Sequence, residues 1–127
     1  MAPSLLIDSV AQVDSCITII GRDDRTNMRR KQLNDFSVDN NNYTIVLDHQ
    51  PYNLDRAEAA GVDFQLSGHT HRGQVWPISW ITDRVYECSW GSHKRGNTQF
   101  YVSSGIGIWG GKFRIGTQSE YVVVTLR

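Results

Sequence analysis

The sequence predicts an α/β fold, a mixed β-sheet carrying one or two helices, and three observations predict it. Aliphatic and β-branched runs recur at residues 16–21, 43–47 and 121–126, the side chains that suit a pleated, half-buried backbone. Between the run at 43–47 and the alternating stretch Val62-Asp63-Phe64-Gln65-Leu66 lie good helix formers, Leu54-Asp55-Arg56-Ala57-Glu58-Ala59-Ala60, closed by Gly61. Strand, helix and strand within about 25 residues make a compact βαβ unit, which puts both strand tips at the same end of the sheet.

The elements follow in order. Met1-Ala2-Pro3-Ser4 reads as an arbitrary start, and residues 5–21 as an antiparallel hairpin turning at Asp14-Ser15. Gly21 to Asn27 is a polar, charge-alternating loop that hands over to a helix at about Met28, capped by Thr26 or Asn27. Met28, Leu33 and Phe36 give that helix a one-sided apolar face, and residues 37–42 close it as an exposed loop. Arg22, Arg25, Arg29 and Arg30 read as a solvated, salt-bridged group, with an anion-binding role as the competing reading. After strand 43–47, Asn53 is the candidate N-cap of helix 53–61. Residues 73–81, aromatic and interrupted by Pro77, read as core or partner surface or as a loop half covering a pocket. Residues 84–90 and 98–103 read as a hairpin joined by a polar loop at 91–97, where His93 is a solvated residue and not a ligand. Gly105, Gly107, Gly110 and Gly111 let the backbone approach something closely. Arg114 then points either toward a phosphate or into an ion pair, and residues 119–126 form a final, central strand.

Composition excludes several function classes. At 127 residues, 39% hydrophobic and 20% charged, the chain is an ordinary globular domain able to bury a core. Lys+Arg and Asp+Glu are both 13, so no net field draws nucleic acid, and nucleic-acid binding is not expected. Cys16 and Cys88 are isolated and read as small buried residues. No apolar run of about 18 residues and no signal-peptide pattern appears, so the chain as given is expected to be cytoplasmic.

Chemistry concentrates in Leu66-Ser67-Gly68-His69-Thr70-His71-Arg72-Gly73-Gln74. Two imidazoles one residue apart can face one cation, or two neighbouring ones, where glycines hold the backbone in a turn. A third histidine stands at the tip of the preceding strand in Asp48-His49-Gln50-Pro51, because Pro51 cannot continue a ladder and biases Gln50 away from helix. His49, His69 and His71 are thus the candidate metal ligands, three being the minimum for a catalytic site with an open position. A surface His-x-His pair in a hairpin loop is the alternative.

Leu47-Asp48-His49-Gln50-Pro51, Gly61 to His71, Gly73-Gln74, Trp76-Pro77 and Tyr101-Val102-Ser103-Ser104-Gly105 together resemble the C-terminal half of calcineurin-like metallophosphoesterases, most closely their bacterial membrane-associated or exported branch. The resemblance implies that residues 1–127 are the C-terminal portion of such a domain, one side of its four-layer α/β/β/α sandwich. It implies two divalent metal ions, Mn, Zn or Fe, with His49 and His69 on one and His71 on the other, acting on a phosphoester small molecule through a metal-activated hydroxide. The family's N-terminal motifs, Asp-x-His, Gly-Asp-x-x-Asp and Gly-Asn-His, do not occur. Gly21-Arg22-Asp23-Asp24 and Gly96-Asn97-Thr98 echo pieces of them and inherit no catalytic role. The chain is therefore expected to be inactive alone and without catalytic residues of its own, and to form a homo-oligomer that covers apolar residues such as Ile17, Ile19, Ile45, Leu47, Val122 and Val124. Membrane attachment is expected only through an N-terminal segment outside this chain. The competing readings are a non-catalytic binding or assembly module and a mononuclear three-histidine hydrolase.

Overall fold

Six strands form one mixed sheet in the computed structural model, which describes residues 5–39 and 41–127; the start at Met1 to Ser4 lies outside them. In chain order the elements are β1 (Ser9–Val13), β2 (Ile17–Gly21), β3 (Tyr43–Leu47), α1 (Leu54–Ala59), β4 (Phe64–Ser67), α2 (Ile78–Val85), β5 (Gly91–Arg95) and β6 (Thr98–Val102). The sheet order is β1-β2-β3-β4-β6-β5. The four central strands run parallel, and β1 and β5 are antiparallel edges. The mixed α/β architecture is the expected one.

Strand period decides which side is core. Thr18 pairs with Thr44, Ile20 with Val46, Val46 with Gln65, and Gln65 with Phe100, so one face carries a continuous buried row. Leu54 and Ala57 of α1, with Leu33, Phe36, Val62 and Cys88, close over that row and complete the core. Burying each such aliphatic or aromatic side chain contributes about 1.5–3 kcal/mol. The opposite face presents Ile19, Ile45 and Phe64 in one row and Leu47, Leu66 and Tyr101 in the next. It is only partly covered, with Leu47 still 40% exposed.

Helix α1 begins without the expected side-chain cap, since Asn53 is itself left-handed at φ 54 and makes no capping bond. Its end is as predicted. Gly61 is left-handed at φ 71, and the Val62 N–H donates to the Ala57 carbonyl.

Five sequence expectations are corrected. The helix from Met28 does not form, and a single 3-10 turn at Leu33–Asp35 stands in its place, with Met28 96% exposed. Asp24 accepts from the Thr26 N–H at 2.8 Å and Asn27 from the Arg29 N–H at 2.9 Å, local bonds that offer the backbone an alternative to helix. Residues 78–85 are helix, not loop and strand: Pro77 sits at the N-cap position, where a missing N–H costs nothing, and the Trp80 N–H donates to its carbonyl. The polar stretch 91–95 is strand β5, and only Gly96-Asn97 turns. Charged side chains suit β5 because it is an edge. His93 therefore lies in a strand, 3.2 Å from Glu87. Residues 119–126 form no strand and join no ladder of the sheet; Glu120 anchors them by accepting from Ser104 N–H at 2.6 Å and Trp90 Nε1 at 3.0 Å. Finally, Cys88 is buried, but Cys16 is exposed in the turn between β1 and β2.

Candidate metal centre

Parallel pairing of β3 with β4 sets Leu47 opposite Leu66, so the two carboxyl ends lie side by side. The ladder continues past both strands, with Asp48 N–H donating to Leu66 at 3.1 Å and Gly68 N–H to His49 at 3.1 Å. This extension brings His49 and His69 together. His49 Nε2 and His69 Nδ1 are 3.2 Å apart, with the rings edge to face.

The turn that follows is conformationally costly. His69, His71 and Arg72 have φ of 68, 47 and 50, a region non-glycine residues rarely adopt at a cost of about 1–3 kcal/mol each. Surrounding bonds impose it: Thr70 Oγ1 donates to the Ser89 carbonyl at 2.6 Å, Gly73 N–H to Thr70 at 2.8 Å, and Gln74 N–H to His71 at 2.9 Å. Gly73 is required twice over. Its φ is 72, and a Cβ there would stand 2.4 Å from the backbone N of Ser79. Gly73→Ala is expected to destabilise the chain by about 3 kcal/mol or more in urea unfolding; a loss below about 1 kcal/mol would contradict the close packing of this turn on α2.

His49, His69 and His71 line one cavity of about 490 Å³, together with Asp24, Gln74 and Trp109. Burial lowers the pKa of His69, assisted by the nearby His49, and burial with the Arg114 charge lowers that of His71. Neutral imidazoles keep a lone pair for a cation. Two nitrogens bound to one cation at about 2.0–2.1 Å, at angles between octahedral and tetrahedral, stand roughly 2.8–3.4 Å apart. The His49–His69 separation falls in that range and is equally the length of a hydrogen bond between the two rings, with the donor set by the tautomer. Among the described residues no three His, Cys, Asp or Glu side chains converge on one point, so His71 does not close a three-histidine site with them.

Sequence reasoning did not give three residues the supporting roles they hold. Asp24 faces the cavity because β2 is parallel to β3 and its tip lies on the same edge; bonds from the Thr26 hydroxyl and N–H hold its carboxyl below the usual range. The charge-rich run after β2 was the available signal. Gln74, buried, pegs the glycine-rich segment: its Nε2 donates to the carbonyls of Trp109 at 2.6 Å and Gly111 at 3.2 Å, and its Oε1 accepts from Trp109 N–H. Arg114 makes no ion pair among the described residues, which corrects one of its two readings. It donates instead to Ser104 at 2.8 Å and Gly105 at 3.1 Å and approaches His71 Nδ1 at 3.5 Å. It holds the glycine segment against the third histidine.

These features define an α/β domain whose parallel strands gather an imidazole cluster at their carboxyl edge. The chain is 40% identical over 90 residues to an uncharacterised metallophosphoesterase of Helicobacter pylori, a match covering 69% of this chain and 24% of the relative. A metallophosphoesterase of Bacillus subtilis is 30% identical over 110 residues, 82% of this chain and 41% of the relative. A Bos taurus protein named transmembrane protein with metallophosphoesterase domain is 36% identical over 87 residues, 66% of this chain and 20% of that protein. No family model and no solved structure matches. The chain belongs to the calcineurin-like metallophosphoesterase superfamily, and membership implies divalent metal cofactors. It spans about a quarter of the length of the first of these relatives.

Proposed function

We propose that the chain is the C-terminal portion of a di-metal phosphoesterase, supplying His49 and His69 to one cation and His71 to the other. The observation that carries this reading is the 3.2 Å approach of His49 Nε2 to His69 Nδ1 at the ends of adjacent parallel strands. Bound divalent cations would supply Lewis-acid polarisation of a phosphoryl oxygen and a water of lowered pKa. This chain's own residues keep His69 and His71 below the ordinary imidazole pKa, fix their strained turn and wall the cavity with Gln74 and Trp109. A phosphoester small molecule is the proposed substrate of the complete enzyme, with Mn, Zn or Fe as the metal. No helix among the described residues is long and apolar enough to cross a membrane, and we place membrane association of the complete protein, as in the relative so named, outside this chain.

Metal uptake tests the assignment. After incubation with Zn or Mn and desalting, elemental analysis is expected to find less than one metal per chain, and still less in His69→Ala or His71→Ala. Tight retention of two metals would show that carboxylates such as Asp24 complete the site within this chain. Turnover of an aryl phosphate is expected to stay near background; metal-dependent turnover that disappears in His71→Ala would overturn the inactive reading.

A non-catalytic assembly module is the second reading, favoured by the partly covered sheet face. Leu47 and Val124 on the surface are 40% and 45% exposed, and Ile17, Ile19, Ile45 and Val122 are only half-buried. An apolar face of this kind supports a two-fold homodimer. Sedimentation is expected to show the dimer at micromolar concentration, and a compact monomer there would refute it.

A further inference from the structure

On the same edge of the sheet, but in a different cavity, four guanidinium groups converge. Arg22, Arg25, Arg30 and Arg56 line a space of about 210 Å³ in which Asp48 is the one acidic side chain. Asp48 is buried and already committed: Arg30 donates to its Oδ2 in a close ion pair, and Arg22 stands 3.6 Å from the same oxygen. Asp8, whose charge also reaches Arg22, spends its oxygens on the backbone N–H groups of Asp23 and Lys31 at 3.1 and 2.9 Å. Four guanidinium groups against these two carboxylates leave a formal surplus of two positive charges.

Arg25 and Arg56 make no ion pair among the described residues. Arg25 lies over the Tyr52 ring at 3.9 Å, and Arg56 donates to the Gln32 amide oxygen at 2.7 Å. Arg22 and Arg30, only 10% and 11% exposed, each keep a buried Nε with no partner. Burial and then the neighbouring Arg30 lower the pKa of Arg22, the mark of like charges crowded out of water. An ion pair built on Asp48 accounts for two of the four arginines. It does not involve Arg25 and Arg56, which line the same cleft from its solvent-exposed side and carry their charge uncompensated there.

We propose that this cavity binds a tetrahedral oxyanion, phosphate or a terminal phosphoryl group, with Arg25 and Arg56 as its principal contacts over the Arg22–Asp48–Arg30 floor. Guanidinium forks match phosphate oxygens two at a time. The space is below the roughly 300–1,000 Å³ of pockets that enclose drug-sized ligands, so it admits an end group and not a whole nucleotide. It is separate from the histidine cavity: Tyr52 walls the arginine side and Tyr86 the histidine side, joined hydroxyl to hydroxyl at 2.9 Å. The inference therefore stands or falls independently of the metal assignment.

The test is titration of the metal-free 127-residue chain with orthophosphate and, separately, glycerol phosphate, against chloride at matched ionic strength, following arginine Nε–H signals by NMR. Saturable shifts with orthophosphate are expected, weakened about fivefold or more by Arg25→Gln or Arg56→Gln and nearly abolished in the double variant. Arg56→Lys, which keeps the charge and loses the fork, is expected to retain part of the affinity. His69→Ala should leave binding unchanged. Saturation by orthophosphate alone identifies a free-ion site, and saturation by both compounds identifies a site for the phosphoryl end of a larger molecule. Shifts equal to those in chloride, or unaltered in a folded double variant, would overturn the proposal; urea midpoints of the variants establish that they are folded.

Discussion

Asp48→Ala is expected to destabilise the chain by about 3–5 kcal/mol, the cost of leaving buried arginines without their counter-ion. Arg22 and Arg30 both lean on this carboxylate, and neither side chain has more than 11% of its surface in water. The loss should also reach the histidines. Asp48 Oδ1 accepts from the Gln50 N–H at 3.1 Å, which fixes the turn that carries His49. Urea unfolding measures the effect, and a change under about 1 kcal/mol would mean the three groups rearrange freely into solvent. Replacing all three together, with Asp48→Leu, Arg22→Met and Arg30→Met, is expected to recover most of the stability, because a buried ion cluster is seldom better than a well-packed apolar one.

Acidification is expected to abolish metal retention. Burial already lowers the pKa of His69 and His71 below the ordinary imidazole value of about 6.5, so at pH 7.5 both are neutral and protons compete weakly with a cation. Below their lowered pKa values His69 and His71 each cost about tenfold per pH unit in the affinity of the cation they hold. Retained Zn measured from pH 7.5 down to 5.0 should hold level at first and then fall steeply. The metal-free fold shifts in the same direction. Because folded-state pKa values lie below unfolded ones, the unfolded chain takes up protons first, and stability fully present above about pH 6.5 is lost as pH falls through the folded values. Retention that stayed constant to pH 5.0 would place the metal on carboxylates instead.

Local chemistry alone determined the central part of this chain. The alternation and β-branching of residues 17–21, 43–47 and 64–67, and the left-handed glycine after residues 54–59, are properties of neighbouring residues, and the corresponding strands and helix appear where those patterns lie. Pro51 and Gly68 likewise marked the strand ends that bring His49 and His69 together, since a parallel βαβ unit has only one edge for both tips. Tertiary structure decided the remainder. Residues 119–126 have strand chemistry but pair with none of the described strands, and a ladder is a property of two segments. The polar run 91–95 became a strand because β6 offered it an edge, where charged side chains face water. The helix expected from Met28 lost to side-chain bonds from Asp24 and Asn27, and α2 formed across a stretch whose aromatic and β-branched residues favour strands locally. The carboxylate between Arg22 and Arg30 and the Arg114 clamp on residues 104–107 join groups 26 and 18, and 7 to 10, positions apart. Such partners are chosen by where folding brings the chain together, which is why composition and spacing revealed the histidines but not the groups that hold them.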